Sequence, residues 1–156
     1  MVFVALALAA LSAAAAAPGP AVWSTNEAGL SWLSALRNQG VLHELRGLAE
    51  ADAAEPATSA FAPNFSNDHF TQDAGDWTAV ALMNRGVLLA DGCAAAPLTC
   101  SVLTTLSPHL QPRPPHATEV GVRFLKLAPG AALREHRGPG GRLVAHLGVS
   151  IPDSVS

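Results

Sequence analysis

The chain is 156 residues long, 49% hydrophobic and 13% charged, with a net charge of −3 and no tyrosine. That length suits one domain with a real core and is too short for two ordinary ones. The charge balance excludes an electrostatic case for nucleic acid, which wants a clustered basic patch, and 13 Gly with 12 Pro argue against a helical bundle without reaching a disordered composition.

Met1 to Ala17 carries no charged side chain and ends in small residues before Pro18-Gly19-Pro20. An apolar stretch closed by an Ala-x-Ala site reads as a secretory signal peptide over residues 1–17, although its basic n-region is reduced to the α-amino group. A membrane anchor is the alternative, at the lower length limit for spanning and with weakly apolar alanine. A stretch with neither role is the third reading. Residues 18–74 read as a helical segment and a loop. Leu30, Leu33, Leu36, Val41, Leu45 and Leu48 approximate helical spacing, and Gly40 interrupts them. The spacing predicts one broken helix or two short ones with a buried face. Residues 51–75 are polar, proline-marked and aperiodic, which predicts a surface loop. Within it, Asn64-Phe65-Ser66 is an acceptor pattern for N-glycosylation.

From Trp77 the texture changes. Short apolar runs at Thr78–Met83, Val87–Ala90, Ser101–Leu106, Val120–Leu127, Ala131–Arg134 and Arg142–Ile151 alternate with turn signals such as Asn84-Arg85-Gly86, Asp91-Gly92 and Pro129-Gly130. Strands at that spacing predict a mainly β sandwich or barrel after the helical part. Cys93 and Cys100 are the only cysteines. In an oxidising compartment an even pair is expected to bridge around Pro97. Two buried reduced thiols are the alternative, and zinc ligands usually sit closer together.

His43, His69, His109 and His116 have no partner at ligand spacing and read as ordinary surface or helix residues. His136 and His146 differ because they flank the Gly138-Pro139-Gly140-Gly141 turn. A strand over 142–150 hairpinned onto the preceding segment would bring both imidazoles to one mouth of a sheet, and imidazole is the commonest protein metal ligand. Gly138 stands where the acidic member of a facial triad would be. The chain has no Gly-x-Ser-x-Gly elbow, phosphate loop or Gly-x-Gly-x-x-Gly stretch.

Gly75-Asp76-Trp77 is followed by a strand and Gly86, and then by Cys93 through Ala96-Pro97-x-Thr99-Cys100. Phe124 precedes Pro129-Gly130, then His136-x-Gly138-Pro139, then Leu143-x-x-His146-Leu147-Gly148-Val149-x-Ile151-Pro152. In that order and spacing these pieces resemble the aspartyl/asparaginyl β-hydroxylase family of Fe(II)- and 2-oxoglutarate-dependent dioxygenases. The similarity runs from about Gly75 to Pro152, with a fainter echo in the Leu30–Leu48 helix.

The resemblance implies a double-stranded β-helix, a jelly-roll or cupin-like fold. Over residues 75–156 it would be a half-barrel, incomplete at its C-terminus and preceded by one or two helices. It implies His136 as a ligand of Fe(II) and His146 as a contact to the carboxylate of 2-oxoglutarate. No catalytic residue is expected beyond that metal site. The family generally lacks the acidic triad member, so Gly138 is no objection.

This chain departs from the family at several positions. Leu125 stands where the family carries a cosubstrate-binding Ser, and Val144 where it carries Arg. Arg142 is the candidate replacement as a cosubstrate contact, on the same face as Val144 but at a different depth. The family's second ligand His and a second Arg lie on later strands, and this sequence ends at Ser156. The expectation is a fragment of a longer product or a shortened, inactive relative.

The implied reaction is hydroxylation of the β-carbon of Asp or Asn in a protein or peptide of the secretory pathway (ER or Golgi lumen, or secreted). No nucleic acid is implied, and a membrane only if residues 1–17 persist as an anchor. The alternative is a non-catalytic secreted β-domain, a degenerate copy or binding module, which Leu125, Val144 and the early stop favour.

Overall fold

The structure is a computed structural model that describes residues 2–9, 31–63, 71–72, 77–110, 121–129, 131–133 and 142–150. The first helical stretch is in two pieces. A 3-10 helix over Ser31–Arg37 buries Leu33 and Leu36, and helix α1, Gln39–Ala54, buries Val41 and Leu45. The break falls at Asn38 rather than Gly40. Asn38 has ψ of 136°, and its side chain accepts the Gly40 N–H at 2.7 Å, which satisfies one of the donors a helix start leaves without a partner. Helix α1 also runs on to Ala54, into the segment expected as loop.

Short strands β2, Ala62–Pro63, and β3, Thr71–Gln72, precede the long β4, Trp77–Asn84. Arg85 and Gly86, both at positive φ, turn the chain into β5, Val87–Leu88. A two-residue loop with both φ values positive matches the right-handed twist of a hairpin.

Two helices follow, α2 over Ala90–Ala95 and α3 over Pro97–Thr105. This corrects the strand expected over Ser101–Leu106 and the turn expected at Asp91-Gly92. The physical reason is visible in the burial: Cys100, Leu103 and Leu106 lie inside at three-residue spacing, the period of a helix face and not of a strand. Pro97 opens α3 where its missing N–H costs nothing. Ala96 offers no side-chain cap. Glu44 of α1 supplies one from across the core, accepting the Leu98 and Thr99 N–H groups at 2.7 Å each and the Thr99 hydroxyl at 2.6 Å. The Cys93–Cys100 bridge ties α2 to α3, with Cα atoms 5.4 Å apart.

Three further strands, β6 over Gly121–Leu127, β7 over Ala132–Leu133 and β8 over Arg142–Ser150, match the expected runs apart from their ends. The main sheet has the order β2-β4-β6-β1-β8, where β1 is Val2–Ala9 and β5 pairs with β4. Every pairing is antiparallel, and β3 with β7 forms a separate two-stranded sheet. Val2–Ala9, within the segment that has the composition of a leader, is the strand between β6 and β8. The described residues form an open antiparallel sheet with substantial helix and no closed barrel, which corrects the mainly β expectation. Among the described residues no helix is long and apolar enough to cross a membrane.

The helices cover one face of the sheet. Val80, Leu82, Val122, Phe124 and Val149 pack there against Leu33, Leu36, Val41, Leu45 and Leu103. A register shift between Ala81 and Met83 lets Leu82 and Met83 both be buried. Two polar links cross this layer. The Arg46 Nε–H donates to the Val149 carbonyl at 3.0 Å. Asp52, 7% exposed, pairs with Lys126 and accepts the Ser59 hydroxyl. Helix α2 lies directly on the edge of β4, since a Cβ on Gly92 would stand 2.0 Å from the Ala81 carbonyl oxygen.

Candidate functional site

Side chains alternate across a strand, so the residues that bury Val122 and Phe124 under the helices present Arg123, Leu125 and Leu127 on the opposite face. The same parity applies to β8. Ala145, Leu147 and Val149 face the helix core, which leaves Val144, His146 and Gly148 on the other side. The sheet thus has one face packed under the helices and one that carries Leu125, Val144 and His146.

The register across β1 places them. Ala5 pairs with Arg123 on one side and with His146 on the other, so Arg123 and His146 stand in one row, two strand spacings or about 10 Å apart along the sheet. In the next row, Leu125 and Gly148 flank Phe3. His146 is exposed and Arg123 half-buried.

Leu125 is 4% exposed and packs with Trp77 and Leu127, beside Ala79 and Ala131. The position at which the resemblance expects a hydroxyl is an apolar cluster. Val144 is one of the few exposed large apolar side chains among the described residues, at 44%. Arg142 opens β8 in register with Ala9. His136 and Gly138 lie outside the described residues, as do His69, His116 and the Asn64-Phe65-Ser66 pattern. His43 is exposed on α1, and His109 stacks on Trp32 with ring centroids 5.1 Å apart.

A cleft of about 540 Å³ runs along β4 between β2 and α2, lined by Ala62, Ala79, Ala81 and Ala90 with Asp91 and Arg123 as its charged groups. Arg123 is the residue that sequence reasoning missed. The signal was available in the alternation of the strand over 120–127: it is the only Arg in an apolar run and sits two residues before Leu125. Among the described residues no three His, Cys, Asp or Glu side chains converge on a point that would hold a metal ion. The described part therefore does not itself fit an iron centre, and no chemical step through iron is derived from it.

The sequence model of one family, described as Aspartyl/Asparaginyl beta-hydroxylase, matches residues 44–156. That span takes in α1 from Glu44 onward, both helices tied by the disulfide, and strands β2 to β8. No curated protein matches the chain.

Proposed function

The chain belongs to the aspartyl/asparaginyl β-hydroxylase family, and from that premise we propose that it carries the cosubstrate side of a 2-oxoglutarate/Fe(II) dioxygenase. The substrate proposed is the β-carbon of Asp or Asn in a protein of an oxidising, secretory compartment, a location that the Cys93–Cys100 bridge supports. The open sheet is read as one sheet of a double-stranded β-helix. The observation that carries the reading is the family match across 44–156. The position of His146 on the sheet face away from the helices is consistent with it.

In this reading the chain's own residues bind and orient the cosubstrate. His146 donates a charge-assisted hydrogen bond to a carboxylate of 2-oxoglutarate, Arg142 is a second contact, and His136 is the metal ligand. The alanine-lined cleft beside Arg123 leaves room for a small or extended substrate segment. The test is 2-oxoglutarate turnover by the chain with Fe(II) and an Asp-containing peptide. Turnover is expected to fall at least tenfold in His136→Ala and in His146→Ala, and unchanged turnover in His136→Ala sinks the ligand assignment.

A second reading, a non-catalytic β-domain, is favoured by one observation: the Leu125 position is buried in an apolar cluster and offers no hydroxyl to a cosubstrate. Iron-dependent binding of 2-oxoglutarate by the chain counts against that reading.

A further inference from the structure

The main sheet contains a slot one strand wide. Strands β6 and β8 do not pair with each other, and β1 lies between them, antiparallel to both. Val2–Ala7 pair in sequence with Lys126–Gly121. On the other edge Val2–Ala9 pair with Ser150–Arg142, with one irregularity between Val2 and Phe3. Without the intervening strand the backbones of β6 and β8 stand about 10 Å apart, twice the spacing that backbone hydrogen bonds allow. Both would present long rows of unpaired N–H and C=O groups, the template on which chains aggregate.

The occupant's chemistry fits the slot. Val2–Ala9 reads VFVALALA, with no charge, no proline and no glycine. Without proline the segment can donate every backbone N–H to the two ladders that flank it, as a strand inside a sheet requires. An edge strand would carry Lys or Pro to discourage further pairing, and this segment carries neither.

We propose that Val2–Ala9 is retained in the folded protein as the inner strand of its sheet, and that the gap between β6 and β8 is an acceptor groove for this segment. The same residues have the composition of a removable leader, and the two fates exclude each other in one molecule. Retention also bears on the candidate site, because β1 is the spacer that holds Arg123 and His146 in one row. The proposal stands on strand register alone and is independent of any dioxygenase activity.

Hydrogen exchange on the full chain is the direct test. The amides of Val4–Ala7 are expected to exchange at least a hundredfold more slowly than an unstructured chain, alongside those of β6. Unprotected amides there, with β6 and β8 protected, overturn the proposal. Deleting residues 2–9 is expected to abolish the folded monomer. Because that variant simply fails, it is paired with rescue: a peptide of residues 1–10 with a solubilising lysine tail, added in trans, is expected to restore protection of β6 and β8, and a scrambled peptide is not. A deleted chain that protects β6 and β8 unaided, as a monomer or as a dimer with a second copy, overturns the assignment. So does a folded species whose intact mass, after passage through a eukaryotic secretory host, begins beyond Ala17.

Discussion

Glu44 is the residue on which the helical layer turns, and its removal has a magnitude that follows from the geometry. Its carboxylate accepts three hydrogen bonds, from the Leu98 N–H, the Thr99 N–H and the Thr99 hydroxyl. The two amides are first-turn donors that α3 itself leaves without partners. In Glu44→Ala the Leu98 N–H, on a residue 42% exposed, regains water at little cost. Thr99 has no exposed surface, so its N–H and hydroxyl lose their partner without gaining another, at about 1–3 kcal/mol for a buried unsatisfied group. Loss of a negative charge at a helix N-terminus adds about 0.3–1 kcal/mol. The expected destabilisation is about 3 kcal/mol in total, which for a chain of this size lowers Tm by about 9 °C. Urea unfolding followed by circular dichroism measures it as a lower midpoint at constant slope. Glu44→Gln, which keeps one acceptor, is expected to lose about half as much. A cycle with Thr99→Val isolates the hydroxyl bond and is expected to show a coupling of about 1 kcal/mol. A Glu44→Ala chain within about 0.5 kcal/mol of the parent, or strictly additive variants, would refute the reasoning.

Three further outcomes rest on other contacts. Gly92→Ala drives a methyl into the backbone of β4, where the nearest atom is the Ala81 carbonyl oxygen and no side chain can swing aside; the expected cost is about 3 kcal/mol or more, and an unchanged urea midpoint would show that α2 does not press on β4. Replacing Cys93 and Cys100 by Ser removes a short closed loop, at about 2.5 kcal/mol by the chain-entropy estimate. A reductant is then expected to lower the midpoint of the parent and to leave the double variant unmoved. Asp52→Ala strips the partner from Lys126, 26% exposed, and from the Ser59 hydroxyl. That exposure places the loss below that of a fully buried pair, at about 1–2 kcal/mol, and an unchanged urea midpoint in Asp52→Ala would show that the pair contributes nothing.

The alternating strands were legible because each has one packed face. Parity read from β6 and β8 places Leu125, Val144 and His146 together, and it assigns Phe124 and Val149 to the core. The helix α3 was not legible, since Ser101–Leu106 is a short apolar run whose period cannot be decided over six positions; burial at Cys100, Leu103 and Leu106 decides it. Strand β1 was hidden by a different ambiguity. Val2–Ala9 shows no alternation of apolar and polar residues, so it lacks the mark of a half-buried strand and keeps only the uniform apolarity that marks a leader. Arg123 was hidden by attention to motif: it precedes the aromatic residue that carried the resemblance, and only the pairing of Ala5 with both β6 and β8 sets it in line with His146.

Leu125 separates the two readings of function more sharply than any other position. It is 4% exposed and belongs to a small cluster with Trp77 and Leu127. Leu125→Ser removes most of a buried apolar side chain and places a hydroxyl among apolar neighbours, at about 2–3 kcal/mol of stability. The small size of the cluster and the neighbouring Ala79 and Ala131 hold the loss toward the lower end. If the face away from the helices receives 2-oxoglutarate, the new hydroxyl supplies a hydrogen bond to the cosubstrate worth about 1 kcal/mol, a roughly fivefold gain in affinity. Titration calorimetry and urea unfolding on the same protein read the two effects separately. Lower stability with tighter 2-oxoglutarate binding places position 125 at the cosubstrate. Lower stability with binding unchanged makes Leu125 a packing residue alone, and the hydroxyl expected from the family then has no counterpart at this position.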